Sequence, residues 1–200
     1  GLAWLFFDYG GDNYDSFSAL TLDTDGYILA TGKAREGPAG FDSVIVRLDP
    51  LGAYDTGFGE QGIVRLNLDG STTAGGESLW SIDLDSAGRV LAAGESSEAD
   101  GNYQMKALRL RPNGELDPLF GTGGIATVGF DLSAPPNNVD QCFGLALQPD
   151  GGIVLAGIAV RSSPSGSQPE LAAARLLSLT DIFSDGFEGG DLSRWSQVQP

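Results

Sequence analysis

Histidine is absent from this 200-residue sequence, and cysteine occurs once. The commonest general base and the commonest metal ligand are therefore missing, so an ordinary Ser–His or Cys–His catalytic arrangement is excluded. The single cysteine, Cys142, cannot form an internal disulfide or build a zinc site, and the apolar alternation around it predicts a buried thiol. We expect no catalytic residue and no cofactor, and hence not an enzyme.

Basic residues are also scarce: eleven Lys and Arg stand against 27 Asp and Glu, which gives a formal net charge of −16. Such a charge repels phosphate backbones and anionic membranes, so nucleic-acid partners are not expected. No apolar run approaches the roughly 20 residues of a membrane span, so membrane insertion is not expected either. The chain opens with Gly1 rather than methionine, which predicts either a removed leader or a fragment.

Glycine, in contrast, is abundant, with 30 residues, and its positions recur. One hairpin-like segment occurs three times at intervals of about 62 residues, as Leu22–Gly32, Leu84–Gly94 and Leu147–Gly157. A second block, Val46–Gly52, returns as Leu108–Gly114 and survives as Ala174–Leu177. A third block, Asp55–Gly62, returns as Asp117–Gly124. These repeats indicate three copies of one structural unit.

Period-two alternation of apolar residues predicts four short strands in each copy. The first is an alternating run such as Ile63–Asp69, the next two form a hairpin such as Ser78–Leu84 with Arg89–Gly94, and the fourth is a run such as Phe41–Leu48. The alanine-rich stretch Leu171–Leu179 is also predicted to be a strand. The expected fold is all-β, with three tandem four-stranded antiparallel units at residues 1–61, 62–123 and 124–180, and a tail at 181–200.

The repeated pattern Asp-Gly-x-Ile-Leu, Val-x-Arg-Leu-x-Pro-x-Gly and Asp-x-x-Phe-Gly-x-x-Gly resembles the bacterial delta-60 repeat. In the first copy it is carried by Asp25, Gly26, Ile28, Leu29, Val46, Arg47, Leu48, Pro50, Gly52, Asp55, Phe58, Gly59 and Gly62. The resemblance implies β-propeller-like blades in secreted or surface proteins, with no shared enzymatic activity. A pseudo-threefold β barrel or prism is the alternative fold.

The tail Ile182–Ser196 resembles a short C-terminal motif of exported gammaproteobacterial proteins. That resemblance implies an extracellular or cell-surface location, in a Gram-negative bacterium. A second interpretation stays open: Phe187 and Gly190 fall about where the missing Phe-Gly block of the third copy should be, so the tail could be a divergent repeat end.

Propellers normally close with about four to eight blades, so three units leave the ring incomplete. Unpaired apolar strands promote association, and the N-terminal run is strongly apolar. The chain's own third unit or a neighbouring copy could complete the sheet, giving a closed oligomer or a filament. The interface candidates are Leu2, Trp4, Phe6, Phe7 and Trp195.

Two further groups of residues are candidate sites. Asp12, Asn13 and Asp15 could ligate calcium. They lack the residue spacing of a calcium-binding loop, however, so a solvated loop is the simpler interpretation. Arg47, Arg109 and Arg175 recur at one place per unit, with Asp55 and Asp117 available as partners, which predicts an ion pair that braces each unit. The tyrosines that could stack on a glycan are Tyr9, Tyr14, Tyr54 and Tyr103.

Three functions follow from these observations, in decreasing order. The first is a non-catalytic extracellular structural or interaction module that self-associates, as a subunit of a surface or matrix assembly or filament. The second is a propeller module that binds carbohydrate or another ligand, and the third is an enzyme.

Overall fold

The computed structural model describes residues 14–35, 40–68, 76–98, 100–130, 132–133, 138–163, 166–177 and 182–186. These residues form twelve strands and three sheets. The first sheet contains β1 Ser16–Leu22, β2 Ile28–Arg35, β3 Phe41–Leu48 and β4 Ile63–Leu66. The second contains β5 Glu77–Leu84, β6 Val90–Ser97, β7 Tyr103–Leu110 and β8 Ile125–Val128. The third contains β9 Asp140–Leu147, β10 Ile153–Ser163, β11 Gly166–Leu176 and β12 Ile182–Gly186.

Each sheet is an antiparallel meander in which every strand pairs with its neighbours along the chain. The all-β prediction of three four-stranded antiparallel units is therefore confirmed, and so is the strand in the alanine-rich stretch, as far as Leu176.

The sheets pack in series, like the blades of a propeller. Strand β5 packs against β1, β2 and β3, and β9 packs against β5, β6 and β7. The first strands of the sheets, β1, β5 and β9, thus lie side by side and form the inner edges of the three blades. Among the described strands, the first and third sheets share no contact of similar extent, and the sheets stay separate. The alternative of a pseudo-threefold barrel or prism is wrong, because the three sheets do not join into a barrel and the described strands of the first and third sheets do not pack on each other as a threefold arrangement requires.

The sheets are shifted by one strand from the units defined in the sequence. The run Ile63–Leu66, read as the first strand of the second unit, pairs instead with β3 and completes the first sheet. The preceding turn explains this pairing, since Phe58 N donates to Asp55 O at 3.0 Å and Gly62 N donates to Phe58 O at 2.8 Å. These bonds fold the Phe-Gly block back onto β3.

The third sheet is completed by the beginning of the tail. Strand β12 pairs with β11, with Ile182 opposite Leu176. Residues 182–186 therefore hold the place in the third sheet that β4 and β8 hold in the other two.

The hairpin turns follow from the Asp and Gly residues at their ends. Asp23 N donates to Tyr27 O at 3.0 Å, while the Asp23 carboxylate accepts hydrogen bonds from Asp25 N and Tyr27 N, each at 2.9 Å. Gly26 has a φ of +83°, which glycine adopts without steric cost. Asp85 and its neighbours make the same bonds in the second sheet.

Two hydrophobic cores fill the spaces between consecutive sheets. The core between the first and second sheets contains Leu29, Ile45, Phe58, Val64, Leu68, Leu79, Ile82, Val90, Ala92, Leu108 and Leu110. The core between the second and third contains Leu91, Ala93, Met105, Ala107, Phe120, Ala126, Val128, Cys142, Ile153, Leu155, Ala159, Ala172, Ala174 and Leu176. The second sheet is buried on both faces, as a middle blade must be.

Candidate functional site

The recurring arginines form the predicted ion pairs. Arg47 Nε donates to Asp55 Oδ2 at 2.5 Å, and Arg109 Nε donates to Asp117 Oδ2 at 2.8 Å. Each guanidinium also lies over the aromatic ring of the Phe-Gly block, 5.1 Å from the ring centre of Phe58 for Arg47, and 5.0 Å from that of Phe120 for Arg109. The pairs hold the Phe-Gly turn against the strand before it. They are structural braces.

The third sheet retains the arginine without that turn. Arg175 Nε donates to Gln148 Oε1 at 2.5 Å, and its NH2 group lies 2.6 Å from Asp150 Oδ2. Both partners lie in the β9–β10 hairpin turn. The positive charge is thus satisfied by a different loop from the one that holds Arg47 and Arg109.

The electrostatics of the braces favour the ionised carboxylates. Burial alone would raise the pKa of Asp117, but the hydrogen bond from Leu119 N and the guanidinium of Arg109 together lower it below its ordinary value. At Asp55 burial likewise raises the pKa, but the hydrogen bond from Gly57 N and the guanidinium of Arg47 lower it below its ordinary value. Carboxylates held in this state are permanent anions near pH 7, and they are not suited to proton transfer.

A β-bulge occurs at the same place on each inner strand. In every sheet one residue is inserted opposite a glycine of the second strand, and the three inserted residues are Ser18, Trp80 and Phe143. The facing glycines are required by close packing. A Cβ on Gly94 would lie 1.8 Å from Ser78 O, and one on Gly157 would lie 1.8 Å from Gln141 O. Bulges re-aim side chains and often lie near functional sites.

The bulge in the second sheet positions an aromatic–carboxylate pair. Trp80 Nε1 lies 2.8 Å from both carboxylate oxygens of Glu95, which sits on the neighbouring strand β6. Glu95 is buried, whereas Trp80 is 38% exposed. The indole is therefore anchored at its nitrogen and open to solvent elsewhere.

Burial raises the pKa of Glu95 to about 7, although the hydrogen bond from Trp80 and the charge of Lys33 act in the opposite direction. Lys33 holds the position in the first sheet that Glu95 holds in the second, and its ammonium lies 4.6 Å from the ring centre of Phe41. Glu95 is thus a carboxyl group that changes protonation near neutral pH. A group of this kind marks a candidate site.

The outward face of the third sheet is the second candidate site. We call the side chains of Val154, Ala156, Ile158, Val160, Leu171 and Ala173 the open face. Leu171 in the third sheet is equivalent to Met105 in the second. Leu171 pairs with Ile158, and Met105 pairs with Glu95 at the corresponding point of its sheet. Met105 is 0% exposed under the third sheet, whereas Leu171 is 81% exposed. Ala156 is exposed, while its counterpart Ala93 is buried.

The opposite end of the array differs. On the face of the first sheet that points away from the second, Ala34, Val44, Val46 and Leu48 are buried. The exposed leucines of that face, Leu20 and Leu22, lie on its edge strand β1, whereas Leu171 lies on an inner strand of the third sheet.

A groove of about 540 Å³ lies at the outer rim, between the Phe-Gly turn of the first sheet and the turn at Gly114. Gly59 N donates to Asn113 O at 2.8 Å and closes one side of it. Gln61 lines the groove with a φ of +53°, in the left-handed region that non-glycine residues rarely adopt. Its counterpart in the second sheet is Gly123.

The candidate sites inferred from the sequence fall mostly elsewhere. Of the calcium candidates, Asp12 and Asn13 lie outside the described residues, and Asp15 Oδ1 accepts a hydrogen bond from Arg35 N at 3.0 Å. In the described part of the chain no group of three or more His, Cys, Asp or Glu residues is placed to hold a metal. The interface candidates Leu2, Trp4, Phe6, Phe7 and Trp195 all lie outside the described residues.

The buried thiol is confirmed. Cys142 is fully buried in the core between the second and third sheets, and burial raises its pKa to about 11. Burial therefore favours the protonated, unreactive form of this thiol at neutral pH.

Sequence reasoning missed Trp80, Glu95, Phe143 and Leu171. One signal was available for the first three, because a glycine that recurs inside an alternating strand often marks a bulge. No signal marked Leu171, since its exposure depends on what packs beside the third sheet.

A comparison with protein families agrees with the repeated blades. Residues 88–120 match a protein-family profile described as a domain of unknown function (DUF5122) β-propeller. No curated protein matches the chain. Among solved structures, the chain is similar to an exo-1,5-α-L-arabinanase from a bovine ruminal metagenomic library, with 17% identity and a TM-score of 0.40. That alignment covers 83% of this chain and 55% of the arabinanase chain, so this chain spans about half the length of that protein.

The three serial four-stranded sheets and the β-propeller profile make the chain a propeller-like β-repeat protein. Among the residues described, none form a helix with the length and apolar character needed to cross a membrane.

Proposed function

We propose that this protein is a non-catalytic structural or interaction module that associates with a second copy of itself through the open face of the third sheet. We assign its repeats to the delta-60 type and the protein to the extracellular or cell-surface space of a Gram-negative bacterium, on the resemblance of its repeats and tail. The observation that carries the proposal is the contrast between Leu171 and Met105.

The equivalent faces of the first two sheets are already interfaces. Each carries the sheet that follows it in the chain, and the side chains at those interfaces are largely apolar. The open face has the same apolar character and geometry, but its central leucine is 81% exposed. A sheet face of this kind is stabilised when another sheet removes it from water.

A second copy is the occupant that fits this face, and the mode of packing follows from the other end of the array. Val44 and Val46 in the middle of the first sheet's outer face are buried, so the exposed apolar side chains of that face, Leu20 and Leu22, are confined to its edge strand β1 and offer a smaller surface than the open face. Two open faces meeting about a twofold axis satisfy both copies at once, which gives a closed dimer of six sheets rather than a filament.

Light scattering coupled to size-exclusion chromatography tests this proposal. We expect a dimer at about 50 μM for the unmodified protein and a monomer for Leu171→Asp, because a charge at the centre of an apolar interface is left unpaired. The matched control is Leu51→Asp, since Leu51 is a leucine in a turn that is 94% exposed and lies away from the open face. This variant should remain dimeric. A monomeric unmodified protein, or a dimeric Leu171→Asp protein with an unchanged unfolding temperature, contradicts the proposal.

A further inference from the structure

Beyond self-association, the inner edges of the second and third sheets carry two exposed aromatic side chains in equivalent positions. Trp80 and Phe143 are the inserted residues of the bulges in β5 and β9, and they are 38% and 50% exposed. The two strands pack against each other, and Leu145 N donates to Ser81 Oγ at 3.1 Å. The bulges therefore display the aromatic rings at the same level on neighbouring strands.

We propose that Trp80 and Phe143 form a binding platform for a neutral saccharide. Aromatic rings bind sugars by packing against the apolar face of the pyranose or furanose ring, which needs an exposed ring in a fixed orientation. Two rings on adjacent strands offer contacts to two sugar units of one chain. The first sheet has Ser18 at the equivalent position, so the platform contains two aromatic rings and not three.

The orientation of Trp80 is fixed before any ligand arrives. Both oxygens of Glu95 lie 2.8 Å from the indole nitrogen, and the carboxylate is itself buried. A side chain held in this way loses little conformational freedom on binding, which favours affinity. Its N–H group is already used, so the ligand meets the ring surface rather than a hydrogen-bond donor.

The net charge of −16 opposes anionic ligands. A neutral oligosaccharide meets no such repulsion, and its contact with the two aromatic rings does not depend on charge. Glu95, the carboxyl group that fixes Trp80, already interacts with the positive charge of Lys33, so it does not require a cationic ligand.

Isothermal titration calorimetry with cellohexaose, xylohexaose and chitohexaose, each to 5 mM, tests the platform. We expect at least one of these hexasaccharides to bind, with affinity reduced tenfold or more in Trp80→Ala and in Phe143→Ala. Tyr14→Ala is the control, because Tyr14 is an even more exposed aromatic side chain, at 64%, but precedes β1 on the first sheet and lies away from the platform. It should bind as the unmodified protein does.

Glu95 acts on the ligand only through Trp80, so it is a positioning residue. Glu95→Gln keeps an oxygen that accepts the indole N–H and should retain binding, whereas Glu95→Ala should weaken it severalfold and increase the rotational freedom of Trp80 in fluorescence anisotropy. Absence of binding to all three sugars, or binding of hexalysine in their place, overturns the inference. Leu171→Asp separates it from the proposed dimer, because that variant should lose association and keep sugar binding.

Discussion

A buried carboxylate is unfavourable unless it is paired, and the chain contains buried carboxylates of two kinds. Asp117 is ionised and held by Arg109, with Nε 2.8 Å from Oδ2. Glu95 has only a neutral indole as its hydrogen-bond donor, with the charge of Lys33 acting on it as well. The first kind has a lowered pKa and the second a raised one, so they respond to pH in opposite directions.

The pKa of Glu95 predicts a loss of stability as the pH rises. Its folded value of about 7 exceeds the ordinary value of 4.5, so the folded protein binds the proton more tightly than the unfolded chain does. The free energy of unfolding should therefore fall between about pH 4.5 and pH 7, by at most about 3 kcal/mol from this group, and level off above pH 7. Urea denaturation at pH 5 and at pH 8 measures the difference.

A comparison of variants separates the contribution of Glu95 to the pH dependence of stability from the contributions of other titrating groups. Asp55 and Asp117 have lowered pKa values, so their contribution is lost only in more acidic solution. Glu95→Gln should show a smaller decrease from pH 5 to pH 8 than the unmodified protein. Glu115→Gln, at an exposed turn position, should leave the decrease unchanged. Equal pH dependence in all three proteins contradicts the prediction.

At the scale of the strand, the three bulges are repeated features that depend on a missing side chain. Gly32, Gly94 and Gly157 each face the inner strand so closely that a Cβ would lie 2.0 Å or less from a backbone oxygen. Because these glycines have no side chain, the inner strand can approach closely and form a bulge of one extra residue. That extra residue is then turned toward the inner edge of the blade.

Replacement of one such glycine should be far more damaging than replacement of its neighbour across the same hairpin. Gly157→Ala places a methyl group 1.8 Å from Gln141 O, so the backbone must move, and we expect a loss of about 2–3 kcal/mol or more. Gly144→Ala is the matched control, because a Cβ there meets no atom within 4 Å. It should be neutral or slightly stabilising. Thermal unfolding followed by circular dichroism compares them, and equal unfolding temperatures would mean that the bulge tolerates a side chain.

Local patterns were sufficient to predict the strands and the hairpins. The Asp and Gly residues of the turns fix the hairpins through bonds within a few residues, as Asp23 and Asp85 show, and the alternation of Leu, Ile and Val marks the strand faces. The Arg–Asp braces were also predictable, because Arg47 and Asp55 are eight residues apart and recur at that spacing as Arg109 and Asp117.

Features that depend on three-dimensional packing could not be read from local patterns. Trp80 meets Glu95 only because the bulge shifts the register between β5 and β6. The pairing of Ile63–Leu66 with β3 depends on how the Phe-Gly turn folds back. The alternation in that strand is compatible with pairing in the first sheet and with pairing in the second.

At the scale of the whole molecule, the three sheets form an array with different ends. The second sheet is covered on both faces. The first sheet is covered on the face toward the second sheet, and Val44 and Val46 are buried on its other face. The third sheet is covered only on the face toward the second sheet. Sequence repetition makes the sheets alike, so the exposure of Leu171 arises from position in the array rather than from composition. Association through this face would complete the burial that the repeat provides elsewhere.

The net charge sets how such an association depends on salt. Each copy carries a charge of −16, so two copies repel each other, whereas the open face is apolar and contributes through burial. Added salt shortens the screening length to about 10 Å at 0.1 M and weakens the repulsion. We therefore expect the dissociation constant of the dimer to fall severalfold between 20 mM and 300 mM NaCl in sedimentation equilibrium. Leu171→Asp should stay monomeric throughout that range. A dimer that weakens as salt is added would instead be held by ion pairs, and the open face would not be its interface.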